Sequence, residues 1–152
     1  MTLTYRPALP GDAEEIYRLS KEIIERFEDP TAVDLNYALK WTHDDVMAHW
    51  ADYTRILADG EPAGYYALKP MADGTAELSL LALYPPFRGQ GIGTQVLRRC
   101  LELAPGDVTL FVFTKNTVAL RLYESTGFQV IANIKNSRLH MRRKKDGDIH
   151  PL

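Results

Sequence analysis

The sequence has a single cysteine and almost no net charge. Because Cys100 stands alone among 152 residues, no disulfide within the chain is possible. The formal net charge is -2 at pH 7, which argues against binding of nucleic acid or of a membrane surface by general electrostatics. A short basic run, Arg142 to Lys145, is interpreted as a solvated end of the chain.

Long apolar runs and targeting signals are also lacking. No stretch approaches the roughly 18 apolar residues that a membrane-spanning helix needs. The first residues do not combine a basic segment with an apolar one, so we expect a cytoplasmic protein without a signal peptide. The histidines show no metal-ligand spacing, so we expect no metal, and we interpret His43 and His49 as surface residues.

What is present fits one compact domain of mixed α/β class. Apolar residues make up 45% and charged residues 25%, which is near the average for globular proteins. We predict a single domain over residues 1–145 and a C-terminal tail over residues 146–152. Hydrophobic periodicity and chain breakers predict the element order β-α-α-β-β-β-α-β-α-β-β.

The helices of the N-terminal half are predicted from capping signals. Asp12 with Glu15 predicts a capping box at the start of the first helix. Residues 31–53 are expected to form two helical pieces, the second of which would be capped by Thr42 with Asp45.

Two strands on either side of one helix are expected to form the centre of the sheet. Ala76–Leu83 is apolar on both faces, which is typical of a central strand. Val108–Phe113 follows the next helix, and a helix between two strands favours their parallel pairing.

A glycine-rich segment joins the first of these strands to the helix: Arg88-Gly89-Gln90-Gly91-Ile92-Gly93. Glycine lacks Cβ, so the backbone can approach an anion closely, and the first turn of a helix offers unpaired N–H donors. The segment therefore predicts a pyrophosphate site, to which Arg88 would add positive charge. It is neither a P-loop nor a dinucleotide fingerprint, because G-K-[ST] is absent and Thr94 occupies the last glycine position.

Two motifs resemble those of the GCN5-related N-acetyltransferase (GNAT) superfamily. Residues 88–93 match the family pattern [RQ]-x-x-G-x-[GA], and residues 116–128 match N-x-x-A-x-x-x-Y-x-x-x-G-F at every fixed position. The resemblance implies a sheet whose central parallel strands splay apart to bind CoA. It further implies an acyltransferase that moves acetyl from acetyl-CoA to a primary amine by direct attack in a ternary complex.

The resemblance also implies the residues that bind acetyl-CoA. They come from the strand end, the glycine-rich segment, the helix start and the second motif. The implied set is Leu81, Ala82, Leu83, Arg88, Gly89, Gln90, Gly91, Ile92, Gly93, Thr94, Asn116 and Tyr123.

Tyr123 is the implied general acid beside the sulfur. A phenol with a pKa of about 10 is protonated at neutral pH and can donate to a leaving thiolate. Asn116 lies seven residues earlier, on the same helix face, and is implied to contact the pantetheine or phosphate arm. The alternatives are a core tyrosine and an asparagine that only caps the helix.

Glu77 is the candidate general base, because it is the one carboxylate in an otherwise apolar strand. Alternation predicts that it shares a face with Leu81 and Leu83 unless a bulge intervenes; the alternative is an exposed glutamate at the strand entrance. The resemblance implies the Leu83 N–H as oxyanion donor, with the carbonyls of Leu81 and Leu83 pairing with pantetheine.

The acceptor and the oligomeric state stay open. The aromatic-rich segment Tyr37 to Tyr53 favours an enclosed site and a small-molecule acceptor. The alternatives are a protein or peptide N-terminus or lysine, and a non-catalytic regulator that binds acyl-CoA. Trp41 and Trp50 are interpreted as packing residues, either of which could line an acceptor pocket. Cys100 is interpreted as a small core residue, and a homodimer through the last hairpin is one option within the family.

Overall fold

The computed structural model describes residues 1–145, so the predicted tail at 146–152 lies outside the described residues. The strands are β1 Leu3–Pro7, β2 Thr54–Ala58, β3 Glu61–Pro70, β4 Ala76–Leu83, β5 Val108–Phe113, β6 Gln129–Ile134 and β7 Arg138–Arg143. The helices are α1 Ala13–Phe27, α2 Leu35–His49, α3 Ile92–Leu103 and α4 Thr117–Ser125. The predicted element order and the mixed α/β class are confirmed.

All seven strands belong to one sheet, in the order β1-β2-β3-β4-β5-β7-β6. Every neighbouring pair in it is antiparallel except β4 with β5. These two strands pair only at Ala76 with Val108 and at Glu77 with Thr109, after which they part. The predicted splayed parallel pair is therefore confirmed, and it leaves a gap at the centre of the sheet.

Helices cover both faces of the sheet. The core under α3 and α4 includes Val96, Leu97 and Cys100, packed on β5 and β7. The core under α1 and α2 includes Ile16 and Tyr65. Cys100 is fully buried, as predicted, and burial raises the pKa of its thiol to about 12. None of the helices within residues 1–145 has the length and apolar character needed to cross a membrane.

The predicted capping box at Asp12 is wrong, because other donors take the carboxylate. Asp12 lies in a 3₁₀ turn ahead of α1 and makes no capping bond to that helix. Its oxygens accept from the Leu9 N–H at 2.8 Å, the Arg6 guanidinium at 2.9 Å and the Tyr65 hydroxyl at 2.6 Å. Hydrogen bonds to Asp12 therefore connect β1 and β3 to the turn at the start of α1.

The two predicted helical pieces are one helix, α2, followed by a 3₁₀ turn at Trp50–Asp52. Asp34 caps α2 by accepting from the Tyr37 N–H at 3.2 Å, so the predicted cap at Thr42 is wrong. Neither glycine nor proline interrupts residues 35–49, and an ion pair between Lys40 and Asp44 at 2.7 Å spans the expected break.

The basic run near the end of the described chain is not a solvated end. Arg142 pairs with Asp107 at 2.7 Å, and Arg143 donates to the Thr126 carbonyl at 2.7 Å. Lys145 donates from its side chain to the Leu101 carbonyl at 3.0 Å. These contacts attach the end of β7 and the residues after it to the C-terminal part of α3 and to the loops before β5 and after α4.

Candidate active site

The gap between β4 and β5 leaves backbone groups of β4 without a neighbouring strand. The Tyr84 N–H donates to Ala63 of β3 at 2.8 Å, and the Ala82 carbonyl lies against Gly64 of β3. Successive residues of a strand direct their N–H and C=O groups to opposite edges. The backbone N–H and C=O groups of Leu81 and Leu83 therefore point into the gap, where they can pair with an extended ligand. The backbone groups of Ala82 point toward β3 instead.

A β-bulge at Ser79 decides which side chains of β4 share a face. Leu78 lies opposite Leu68 and Leu80 lies opposite Ala67, so Ser79 has no partner in β3. Before the bulge, Leu78 packs toward α3 and α4; after it, Leu81 and Leu83 do so.

Glu77 therefore points to the α1–α2 side, opposite to Leu81 and Leu83. The predicted shared face is wrong, because the extra residue interrupts the period-two alternation. The exposed-entrance alternative does not describe Glu77 either, since its side chain is partly buried and lines a cavity.

The glycine-rich segment forms an open turn lined with free donors. Gly89 and Gly91 have φ angles of 75° and 81°, and a Cβ at either position would meet nothing within 4 Å. Gly91 is the N-cap of α3 and supplies no capping side chain. Among the described residues, no acceptor takes the N–H groups of Ile92, Gly93 and Thr94. The turn thus fits a pyrophosphate, whose oxygens would accept from these donors.

Arg88 is engaged by the protein itself. Its Nε donates to the Leu83 carbonyl at 2.9 Å, and its Nη2 pairs with Glu22 of α1 at 2.8 Å. The hydrogen bond from Arg88 lowers the pKa of Glu22. Arg88 therefore already donates to the carbonyl implied to pair with pantetheine, and that oxygen keeps one lone pair for a second donor.

The two residues singled out in the second motif lie on α4 as predicted. Asn116 is the N-cap of α4 and accepts from the Ala119 N–H at 3.3 Å. Tyr123 is buried, packs edge-to-face on Phe128, and its hydroxyl makes no hydrogen bond within residues 1–145. Burial, with a smaller contribution from Cys100, raises the pKa of Tyr123, which keeps the phenol protonated at neutral pH.

A cavity of about 450 Å³ lies between β4 and β5. Asn116 and Tyr123 line it together with Glu77 and Leu81. The structure thus brings the candidate acid and the candidate base to one cavity that also borders the gap in the sheet. No group of three histidine, cysteine, aspartate or glutamate side chains in the described part of the chain could hold a metal ion.

Several lining residues were missed by sequence reasoning. Asp45 of α2 and Lys69 of β3 line the cavity, and Tyr53 lies 5% exposed beside them. Burial, with help from Asp45 and Asp52, raises the pKa of Tyr53 to about 12. The available signal for Lys69 was a lysine at the penultimate position of a largely apolar strand, a pattern that also fits an exposed strand end.

The tryptophans and histidines of α2 differ in their surroundings. Trp50 packs against the core under α1 and α2, as predicted, but Trp41 lines the cavity while staying 59% exposed, so it is not a packing residue. His43 and His49 are at the surface as predicted, His43 against the ring of Tyr17 and His49 beside Asp45.

Sequence comparison gives a consistent group of relatives. A family profile described as Acetyltransferase (GNAT) family matches residues 13–128. The chain is 34% identical over 79 residues to N-alpha-acetyltransferase RimI of Mycobacterium tuberculosis, covering 47% of this chain and 50% of that one. It is 26% identical over 131 residues to peptidyl-lysine N-acetyltransferase YjaB of Salmonella typhimurium, covering 86% of each.

Mycothiol acetyltransferase of Kineococcus radiotolerans is 35% identical over 98 residues, which cover 59% of this chain and 32% of that protein. The matched part of the chain thus spans half of the length of RimI and about a third of the length of the mycothiol acetyltransferase.

Two solved structures share the fold. PaiA N-acetyltransferase of Thermoplasma acidophilum, in complex with coenzyme A, superposes with a TM-score of 0.71 at 20% identity, over 95% of this chain and 99% of that one. YncA of Salmonella typhimurium, with its cofactor acetyl-CoA, superposes with a TM-score of 0.65 at 19% identity, over 100% and 99%.

Proposed function

The chain belongs to the acetyltransferase (GNAT) family, and from that premise we propose that it transfers acetyl from acetyl-CoA to a primary amine by direct attack in a ternary complex. The observation that carries the proposal is the shared cavity, which has Glu77 and Tyr123 in its lining and borders the open edge of β4. The family match confirms the predicted enzyme class, an acetyl-CoA-dependent acyltransferase.

Acetyl-CoA would bind along the gap and the glycine-rich turn. The free N–H groups at the start of α3 would bind the pyrophosphate, and the backbone of Leu81 and Leu83 would pair with the pantetheine arm. Arg88 would exchange its bonds to Leu83 and Glu22 for a phosphate oxygen. Asn116 would use its amide NH₂, since its carbonyl oxygen caps α4. For Ala82 and Gln90, the proposal that they contact acetyl-CoA rests on the family resemblance alone.

The proposed chemistry forms a C–N bond and breaks a C–S bond. Glu77, directly or through water, takes the proton that the amine nitrogen loses as it attacks the thioester carbonyl. The Leu83 N–H donates to the carbonyl oxygen while that oxygen carries negative charge. Tyr123 donates a hydrogen bond, and then its proton, to the leaving sulfur. Exchange with solvent returns Glu77 and Tyr123 to their starting states, and the products are an acetamide and a free thiol.

We propose a small molecule as the acceptor, on the strength of the cavity walls. Side chains of α1 and α2 together with Tyr53 enclose the cavity on the side to which Glu77 points. A peptide is the second candidate, because Tyr37 and Trp41 remain 68% and 59% exposed along α2 and could contact a longer chain. One of the relatives, YjaB, is named as a peptidyl-lysine N-acetyltransferase.

Release of free thiol from acetyl-CoA in the presence of a broad amine panel tests the function. We expect turnover with at least one amine and a loss of kcat of about 100-fold in Tyr123→Phe, with unchanged acetyl-CoA affinity. Tyr17→Phe removes the hydroxyl of a partly buried tyrosine outside the cavity, a group that makes no hydrogen bond within residues 1–145, and serves as the matched control. Tight acetyl-CoA binding without turnover of any amine or peptide would instead establish a non-catalytic regulator.

A cytoplasmic location and a homodimer through the last hairpin are further proposals. β6 is an edge strand, and its Val130 and Ile131 are about half exposed, which would suit contact with a second copy. Light scattering of wild type and Ile131→Glu tests the dimer; a monomeric wild type would contradict it.

A further inference from the structure

Lys69 is a cation in the cavity wall. Its side chain is partly buried and makes neither an ion pair nor a hydrogen bond within residues 1–145. Lys69 lies directly opposite Glu77 in the register of β3 with β4, so the two side chains share the face under α1 and α2. Its Nζ lies 6.0 Å from the ring centroid of Tyr53.

Charged side chains of both signs line the cavity. Glu77 and Asp45 are negative, and Lys69 and Arg138 are positive. Asp45 already contacts His49 at 3.1 Å, and the Arg138 guanidinium lies 5.7 Å from the Phe111 ring centroid. Glu77 and Lys69 are neighbours across the strands, yet their charged atoms are more than 4 Å apart, since no ion pair joins them. A ligand that carries both charges could engage each of them.

We propose that Lys69 binds a carboxylate of the acceptor, so that the acceptor is an amino acid or a similar small molecule with an amine and a carboxylate close together. This inference rests on the proposed function, because it assigns the substrate class of the same site. Cross-strand partners have Cβ atoms about 5 Å apart, so the two side chains start from neighbouring positions on one wall of the cavity, and one small molecule can contact both. The amine lies by Glu77, which takes its proton, and the carboxylate lies by Lys69.

The same arrangement selects against other amines. A plain alkylamine leaves Lys69 without a counter-ion, and a polyamine brings further positive charge next to it. The N-terminal residue of a peptide carries an amide where the amino acid has its carboxylate; the amide oxygen can accept a hydrogen bond from Lys69, but it brings no opposite charge to pair with it. The carboxylate is thus the group that distinguishes the proposed acceptor from a peptide.

A matched pair of substrates tests the inference. The protein is assayed with acetyl-CoA and the proteinogenic L-amino acids, each beside its C-terminal carboxamide. For the amino acid with the highest turnover, kcat/KM should exceed that of the amide by about 10-fold or more, which is the usual discrimination of a charge-assisted contact. Lys69→Met should bring the ratio close to one, chiefly through KM. Lys69→Arg should keep the preference, as should Lys135→Met, a control in the β6–β7 turn outside the cavity.

Binding of the same pairs to the CoA-saturated protein separates this inference from the proposed function. If wild type binds the amino acid more tightly than its amide, Lys69→Met loses that preference, and neither compound is acetylated, the inference is upheld while the proposed function fails. Equal turnover of acids and amides, or a preference that survives in Lys69→Met, would overturn the inference while acetyl transfer stands. Absence of both binding and turnover for every pair would overturn it as well.

Discussion

Replacing Asp12 by asparagine should cost about 2 kcal/mol of stability at neutral pH. Burial alone would raise the pKa of Asp12, but hydrogen bonds from Arg6, the Leu9 N–H and Tyr65 lower it from 3.8 to about 2. One pKa unit corresponds to about 1.4 kcal/mol, so a lowering of this size stabilises the fold by about 2 kcal/mol. The Asp12 side chain is only 7% exposed, so solvent screens these interactions little.

The sign of the pH dependence follows from the lowered pKa. The contribution of Asp12 is fully present above its unfolded-state pKa of about 4, and it is lost as pH falls toward about 2, where the folded-state carboxylate takes up a proton. Urea unfolding, followed by circular dichroism at pH values from 7 down to 2.5, measures the free energy of unfolding of wild type and variant. The difference between wild type and Asp12→Asn should be largest at pH 7 and should shrink below pH 4.

The control for this experiment is Asp52→Asn, which changes an exposed carboxylate in the 3₁₀ turn after α2. It should alter the free energy of unfolding by less than about 0.5 kcal/mol. A loss in Asp12→Asn that is the same at pH 7 and at pH 2.5, or no larger than that of the control, would refute the electrostatic account of the Asp12 network.

Two further predictions concern residues beside the site. Glu22→Gln removes the ion-pair partner of Arg88 and leaves the guanidinium free to contact a phosphate, so calorimetry should show acetyl-CoA binding a few-fold more tightly. Weaker binding would show that the Glu22 contact supports the bound state. Cys100 should resist iodoacetamide in the folded protein at pH 7 for as long as the fold persists, because the thiol is buried with a pKa of about 12. Mass spectrometry measures the modification, and rapid labelling without unfolding would contradict the burial.

Local patterns in the sequence predicted the elements and the two motifs. The turn at residues 88–93 and the helix start at Asn116 depend on neighbours within a few positions, so glycine spacing and capping residues were sufficient to find them. The central strand pair was predictable for a similar reason, since two apolar strands separated by a helix favour parallel pairing.

Contacts between residues distant in sequence could not be predicted in this way. The donors around Asp12 include Tyr65, 53 residues away, and no local signal reveals that hydroxyl. The bulge at Ser79 reverses the side of β4 on which Glu77 lies, yet it leaves no mark in an apolar strand that contains a single serine. The proposed role of Lys69 likewise depends on its register with β4. The continuity of α2 was predictable from the sequence, because residues 35–49 contain neither glycine nor proline.

Calorimetric titration of acetyl-CoA into wild type and Gly91→Glu tests the central claim, that the turn before α3 binds the pyrophosphate. A glutamate there places a side chain and a negative charge in the open space above the turn. Gly60→Glu is the matched control, because Gly60 has a φ of 83° against 81° at position 91 and also has nothing near its Cβ, but lies in the β2–β3 turn. We expect wild type and Gly60→Glu to bind acetyl-CoA and Gly91→Glu to lose binding. Absence of binding by wild type, or equal binding by all three proteins, would show that the turn does not bind the pyrophosphate.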